Sequence, residues 1–156
     1  MSSEMTLAME PEAQAAVHRA IDSWQQAATA GDLQRIMTHY APDVLAFDAV
    51  SQLQFKGVEA YRAHWAACLE MCKGPMIFEI HELALTVRGD VSFAHYLTRC
   101  GGTAEDGQQK TSWMRATVCH RLIGGAWLIV HEHFSVPFDM QSGKAIFDLE
   151  PGGGGK

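Results

Sequence analysis

After Gly74-Pro75 the chain reads as strand to the end of its patterned region. Met76 to Val87, Val91 to Arg99, Lys110 to Leu122 and Ala126 to Val136 each favour the two-residue period of a half-buried strand. Gly89-Asp90, the polar bend Gly101 to Gly107 and Gly124-Gly125 part them, and Pro137 closes the last. The helical patterns all come earlier. Pro11 opens the first helix, where its missing N–H does no harm. Val17, Ile21, Trp24 and Ala28 mark its buried face. Gly31 supplies the stop and Asp32 the next N-cap. A second helix is expected from Leu33 to about Tyr40, ended by Pro42. Val44 to Asp48 and Leu53 to Phe55 read as short strands. A third helix follows Gly57, with Val58, Tyr61, Trp65, Cys68 or Leu69, and Cys72 on one face. Segregated helices and consecutive strands mean α+β with a mainly antiparallel sheet. Three helices on one face of a strongly curved sheet make a cone, and its open mouth is a natural apolar pocket.

The 156 residues suit one domain, with 47% apolar and 19% charged residues to build it. Residues 1–10 are expected as a flexible tail, 11–139 as the cone domain, and 140–156 as an extension ending in the Gly152–Gly155 tail. A net charge of −6, with Lys and Arg scattered, argues against a nucleic-acid backbone as partner. No apolar stretch approaches the ~20 residues that span a bilayer. The first fourteen residues carry no Lys or Arg, so a secretory signal is not expected and a cytoplasmic location is. Cys68, Cys72, Cys100 and Cys119 lack the C-x-x-C spacing of zinc or thioredoxin-like sites and read as buried or half-buried thiols. Phosphate-loop and nucleophile-elbow motifs are absent, so no cofactor is expected.

The run AGDLQRIMTHYAPDVLAFDAVSQLQFKGVEAYRAHW resembles the opening of the nuclear-transport-factor-2-like superfamily, which includes ketosteroid isomerases and SnoaL-like polyketide cyclases. The matching pieces are A-G-D-L, A-P-D-V and F-x-G-V-E-A-Y. The closing run GGAWLIVHEHFSVPFD looks like the last strand of the SnoaL-like branch and of the kinase-association domains. The resemblance covers Glu12 to Asp139. It implies a cone-shaped cavity for a small apolar organic ligand and a homodimer formed through the sheet. It leaves activity open, because this superfold hosts unrelated functions.

Asp48 falls without a gap where the steroid isomerases keep their catalytic carboxylate. A base there needs a largely apolar pocket; the other reading is an Asp that caps the turn from Ala49 to Gln52. Trp24 lies where the isomerases carry an oxyanion-binding tyrosine. An indole N–H donates one hydrogen bond but is no proton source, and the other reading is a core tryptophan. His131, His133 and Ser135 alternate on the last strand, on what the resemblance makes the cavity face. They could be acid/base groups, ligand donors or two legs of a metal site, but no spacing supplies a third leg, and no metal is expected. Arg115 and Thr117 sit on the preceding strand. The resemblance turns them inward too, with Arg115 as a cation for a carboxylate or enolate oxygen. Tyr40, Tyr61 and Trp65 are expected as core or pocket wall. The cyclases use an aspartate on a cavity strand, and here Glu132 is the one acid in that stretch, at parity opposite to His131. The expected chemistry is proton abstraction next to a carbonyl, with Asp48 as base and His133 or Arg115 at the enolate oxygen. The alternative is a ligand-binding or oligomerisation module without turnover.

Overall fold

A computed structural model describes residues 2–72 and 74–152. Helices α1 (Ser2–Ala30), α2 (Leu33–Met37) and α3 (Val58–Met71) are interleaved with two short strands, β1 (Tyr40–Phe47) and β2 (Phe55–Lys56). Four long strands follow: β3 (Met76–Arg88), β4 (Val91–Thr103), β5 (Gln109–Ile123) and β6 (Ala126–Ser135). They form one six-stranded sheet in the order β2-β1-β6-β5-β4-β3. Every neighbouring pair is antiparallel except β1 with β6. The α+β architecture expected from the sequence is the one observed.

Three boundaries differ from the sequence reading. Helix α1 continues through Pro11 back to Ser2, because a proline removes a single helix hydrogen bond and Glu4, Leu7 and Ala8 favour helix. Met1 and residues 153–155 of the glycine tail lie outside the described residues. Helix α2 ends at Met37, and β1 already runs at Tyr40. Pro42 pushes the residue before it into extended backbone, so it lies within a strand and does not end a helix. Strand β4 runs on through Gly101-Gly102 to Thr103, where a bend was expected.

The core fills the space between helices and sheet. Trp24, Ala27 and Ala28 from α1 meet Ile36 and Met37 from α2, Tyr61 and Trp65 from α3, and Ala116, Val118, Ile129 and Phe134 from the sheet. A second cluster, Val17, Ile21, Val87 and Ala94, secures α1 against β3 and β4. Gly31 reverses the chain between α1 and α2 at φ +65°, and Asp32 caps α2 by accepting the Arg35 N–H at 3.2 Å.

Gly101 is where the strands leave no room for a side chain. A Cβ there would lie 1.9 Å from the Lys110 carbonyl oxygen and 2.9 Å from Thr111 Cα, both in β5. Gly101→Ala is therefore expected to part β4 from β5 locally and to cost roughly 3 kcal/mol, as overpacking of a rigid neighbour does. Urea unfolding measures it. An unchanged midpoint would contradict this account of the strand contact.

Candidate active site

A cavity of about 300 Å³ opens between α3, the end of β1 and the inner face of β3 to β6. Its walls are almost wholly apolar: Trp65, Phe78 and Phe134 are joined by Met76, Met114 and the thiols Cys68, Cys72 and Cys100. Asp48 is the carboxylate on its wall. Parity puts it there, because Val44 and Ala46 are buried on the inner side of β1 and Asp48 is next in that alternation.

Both oxygens of Asp48 are held. Oδ1 accepts the Ala49 N–H at 2.6 Å, and Oδ2 lies 2.5 Å from His64 Nε2. The two side chains are largely withdrawn from solvent, 19% and 6% exposed respectively. The imidazole stacks on Phe55, with ring centroids 4.2 Å apart. Cys68 Sγ stands 3.7 Å from the same Nε2. One nitrogen thus serves both neighbours, unlike a nucleophile–base–orienter relay, which uses both ring nitrogens.

Beneath the cavity wall lies a second polar cluster. Glu132 is 1% exposed. It accepts the Tyr40 hydroxyl at 2.8 Å and the Tyr61 hydroxyl at 2.5 Å. Trp24 Nε1–H donates in turn to the Tyr40 oxygen at 2.9 Å. Burial pushes the Glu132 carboxyl up to about 7, against the two tyrosine hydrogen bonds that favour its charged form. Tyr61 belongs both to this cluster and to the cavity wall. Trp24 and Tyr40 serve the cluster and the core.

The other expected site residues lie elsewhere. Arg115, Thr117 and His133 are exposed, and His131 and Ser135 are half-buried. Across the β5–β6 hairpin Arg115 faces Ser135, Thr117 faces His133, and Cys119 faces His131, so all of these share one face of the sheet. It is the face away from the cavity. Ala116, Val118, Glu132 and Phe134 alternate with them and are buried. The placement of Arg115, Thr117, His131, His133 and Ser135 on the cavity face is therefore corrected. Arg115 and Thr117 face outward by the uninterrupted alternation of β5, and on β6 a register shift turns the histidines and Ser135: Cys119 pairs with His131 and His120 with Ile129, leaving Val130 as an extra residue. Such a bulge inverts parity for the rest of the strand. Trp127 and Ile129 pack inward before it, Glu132 and Phe134 after it.

On the outer face His131 Nδ1 donates to the Leu45 carbonyl at 2.7 Å, and Arg115 Nε donates to Ser135 Oγ at 3.1 Å. The edges of the two histidine rings and Phe47 meet nearly at right angles. A surface groove links the faces: His133 and Ser135 line it together with Asp48 and the 49–54 loop. Among the described residues no three of His, Cys, Asp and Glu come together as a metal-ligand set. Also among them, no helix is long and apolar enough to cross a membrane.

The sequence reading did not single out His64. Its signal was there: Tyr61, His64, Trp65 and Cys68 stand at i, i+3, i+4 and i+7, one helical stripe.

The profile described as a SnoaL-like domain matches residues 17–139. An NTF2-like protein of unknown function from Pseudomonas putida KT2440 is 46% identical, covers 90% of this chain and 98% of its own, and superposes with a TM-score of 0.85. A ketosteroid isomerase-like protein from Erwinia carotovora atroseptica is 17% identical over 78% of this chain and 94% of its own, with a TM-score of 0.66. The association domain of C. elegans CaMKII is 15% identical over 81% of this chain and 97% of its own, also at 0.66. The last two likenesses concern the fold alone. No curated protein matches the sequence.

Proposed function

The chain belongs to the SnoaL-like family, and we propose that it takes an uncharged, largely apolar organic molecule into its cavity and moves a proton at a carbon next to a carbonyl group, leading to isomerisation or cyclisation. The observation that carries this reading is the Asp48 carboxylate, seated 2.5 Å from His64 on the wall of an otherwise apolar cavity. A carboxylate on an apolar wall takes a proton from a carbon acid at a place where solvent competes less. The Ala49 N–H fixes one oxygen and His64 the other, so the base is aimed before the ligand arrives. Asp48 is the catalytic residue; His64, behind it, is a positioning residue that holds its orientation. Trp65 lines the cavity, and its buried indole N–H has no partner among the described residues. His133 and Arg115, on the outer face, have no part in this chemistry.

The volume equals that of about ten water molecules at ~30 Å³ each, the bulk of a one- or two-ring compound. The carboxylate repels an anionic ligand. The neutral ketone α-tetralone is therefore expected to raise the melting temperature, following RT ln(1+[L]/Kd), and α-naphthoate at the same concentration is not. Equal stabilisation by the carboxylate would sink the reading.

We also propose that two copies pair through the outer face of the sheet. The support is Phe93, a large aromatic left 51% exposed on that face, with Phe47 and half-buried Trp113 on the same face. Phe93→Glu is expected to leave a monomer in sedimentation equilibrium where the parent chain is a dimer. A dimer unaffected by this change would place the interface elsewhere.

A further inference from the structure

We propose that Cys68 is a nucleophile of the cavity, a covalent site for a neutral α,β-unsaturated carbonyl compound. The inference goes beyond proton abstraction from a substrate carbon and gives the Asp48–His64 pair a second proton to carry. Three free thiols line the cavity, Cys68, Cys72 and Cys100, and they are not equivalent. Cys68 alone has a sulfur within hydrogen-bonding reach of an imidazole, 3.7 Å from His64 Nε2. Asp48, on the other side of that nitrogen, completes a proton-carrying pair beside the sulfur. Cys100 Sγ is turned instead to Met114 Sδ at 3.4 Å. Cys119 lies on the outer face of the sheet, opposite His131.

The rest of the cavity suits the electrophile. Trp65, Phe78 and Phe134, with Met76 and Met114, offer flat and polarisable surfaces to a conjugated system. Burial and the Asp48 charge hold the Cys68 thiol above its ordinary value. At neutral pH the sulfur therefore enters as S–H, and its proton has to leave as it adds.

The step balances without any other reagent. The sulfur lone pair forms a bond to the β-carbon, and the alkene π pair moves toward the carbonyl oxygen as an enolate. The proton of His64 Nε2 shifts to Asp48 Oδ2 and the thiol proton takes its place on Nε2. It returns to the α-carbon as the enolate collapses. The product is a thioether that carries every atom of both partners. Reversal after rotation about the former double bond returns the alkene with exchanged geometry.

Cyclohexenone is the probe. The full chain is incubated with it under reducing, metal-free conditions, and the modified cysteines are mapped by peptide mass spectrometry over time. Cys68 is expected to react roughly a hundredfold faster than Cys72, Cys100 or Cys119, the low end of what a positioned base supplies. His64→Gln, with unchanged circular dichroism, is expected to erase that advantage. Labelling that begins at Cys119, equal rates at all four cysteines, or a Cys68 rate indifferent to His64→Gln would each overturn the proposal. α-Tetralone has no electrophilic alkene, so proton exchange into it reports on Asp48 alone. Adduct without exchange supports the thiol and sinks the proton-transfer reading; exchange without adduct does the reverse.

Discussion

Asp48→Asn is expected to lower the rate of isomerisation of a β,γ- to an α,β-unsaturated ketone by roughly 10³-fold, within the range a positioned general base contributes. The amide is the same size and keeps a partner for both contacts: its oxygen accepts the Ala49 N–H, and its NH₂ faces His64. What it cannot do is take a proton. Stability should change little, because a carboxylate on an apolar wall is a cost to folding that the amide reduces. His64→Gln should cost less, about 10- to 100-fold, since it removes the group that orients the base and leaves the base itself. Conjugated-ketone absorbance reads the rate, and thermal unfolding reads the fold. A melting temperature falling by many degrees in Asp48→Asn would make the residue structural.

The second large effect lies at Glu132. Its folded-state value stands near 7 against 4.5 in the unfolded chain. The folded state therefore holds a proton that the unfolded state has released across that window. Stability from this group is complete below 4.5 and is lost as pH rises through 7, about 3 kcal/mol in all at ~1.4 kcal/mol per unit. Glu132→Gln mimics the protonated acid at every pH. The variant should match the parent near pH 4 and exceed it by about 3 kcal/mol above pH 7. His120 tilts both proteins the other way: burial lowers its imidazole to about 4, so its stability is present above 6.5 and lost as pH falls through 4. Its two ring nitrogens are buried without partners among the described residues. In the parent the two slopes oppose each other; in Glu132→Gln the slope of His120, and of His39, which burial lowers likewise, is no longer opposed by Glu132. Urea unfolding from pH 4 to 8 measures both. A difference between variant and parent that does not grow with pH would contradict the buried, proton-holding state of Glu132.

The long-range plan was legible because it rests on periodicity and on glycine and proline placement. Helices at Val17 to Ala28 and Val58 to Met71, the four long strands and their turns follow from spacing alone. Asp48 was singled out through the resemblance, which puts it where the steroid isomerases keep their catalytic carboxylate; the alternation of Val44 and Ala46 explains why it reaches the cavity wall. On β6 a single residue decides where His131, His133 and Ser135 point. Val130 is an ordinary strand former, and nothing in its type announces a bulge, yet it decides which of His131 and Glu132 faces the core. Continuing the alternation of Trp127 and Ile129 turns the histidines inward; the structure turns Glu132 inward and satisfies it with Tyr40 and Tyr61. Those tyrosines come from β1 and α3, distant in sequence, so no local pattern could disclose the pairing. His64 lay open to helical spacing but was hidden by its partner, sixteen residues away across the mouth of the cavity.

Deuterium uptake from solvent into the carbon next to the carbonyl of α-tetralone, followed by proton NMR, addresses most directly whether the walled carboxylate moves protons. Uptake should be rapid with the parent chain, fall to the uncatalysed rate with Asp48→Asn, and be unaffected by His133→Ala on the opposite face. Uptake that survives Asp48→Asn, or that disappears with His133→Ala, would place the chemistry outside the cavity and contradict the account.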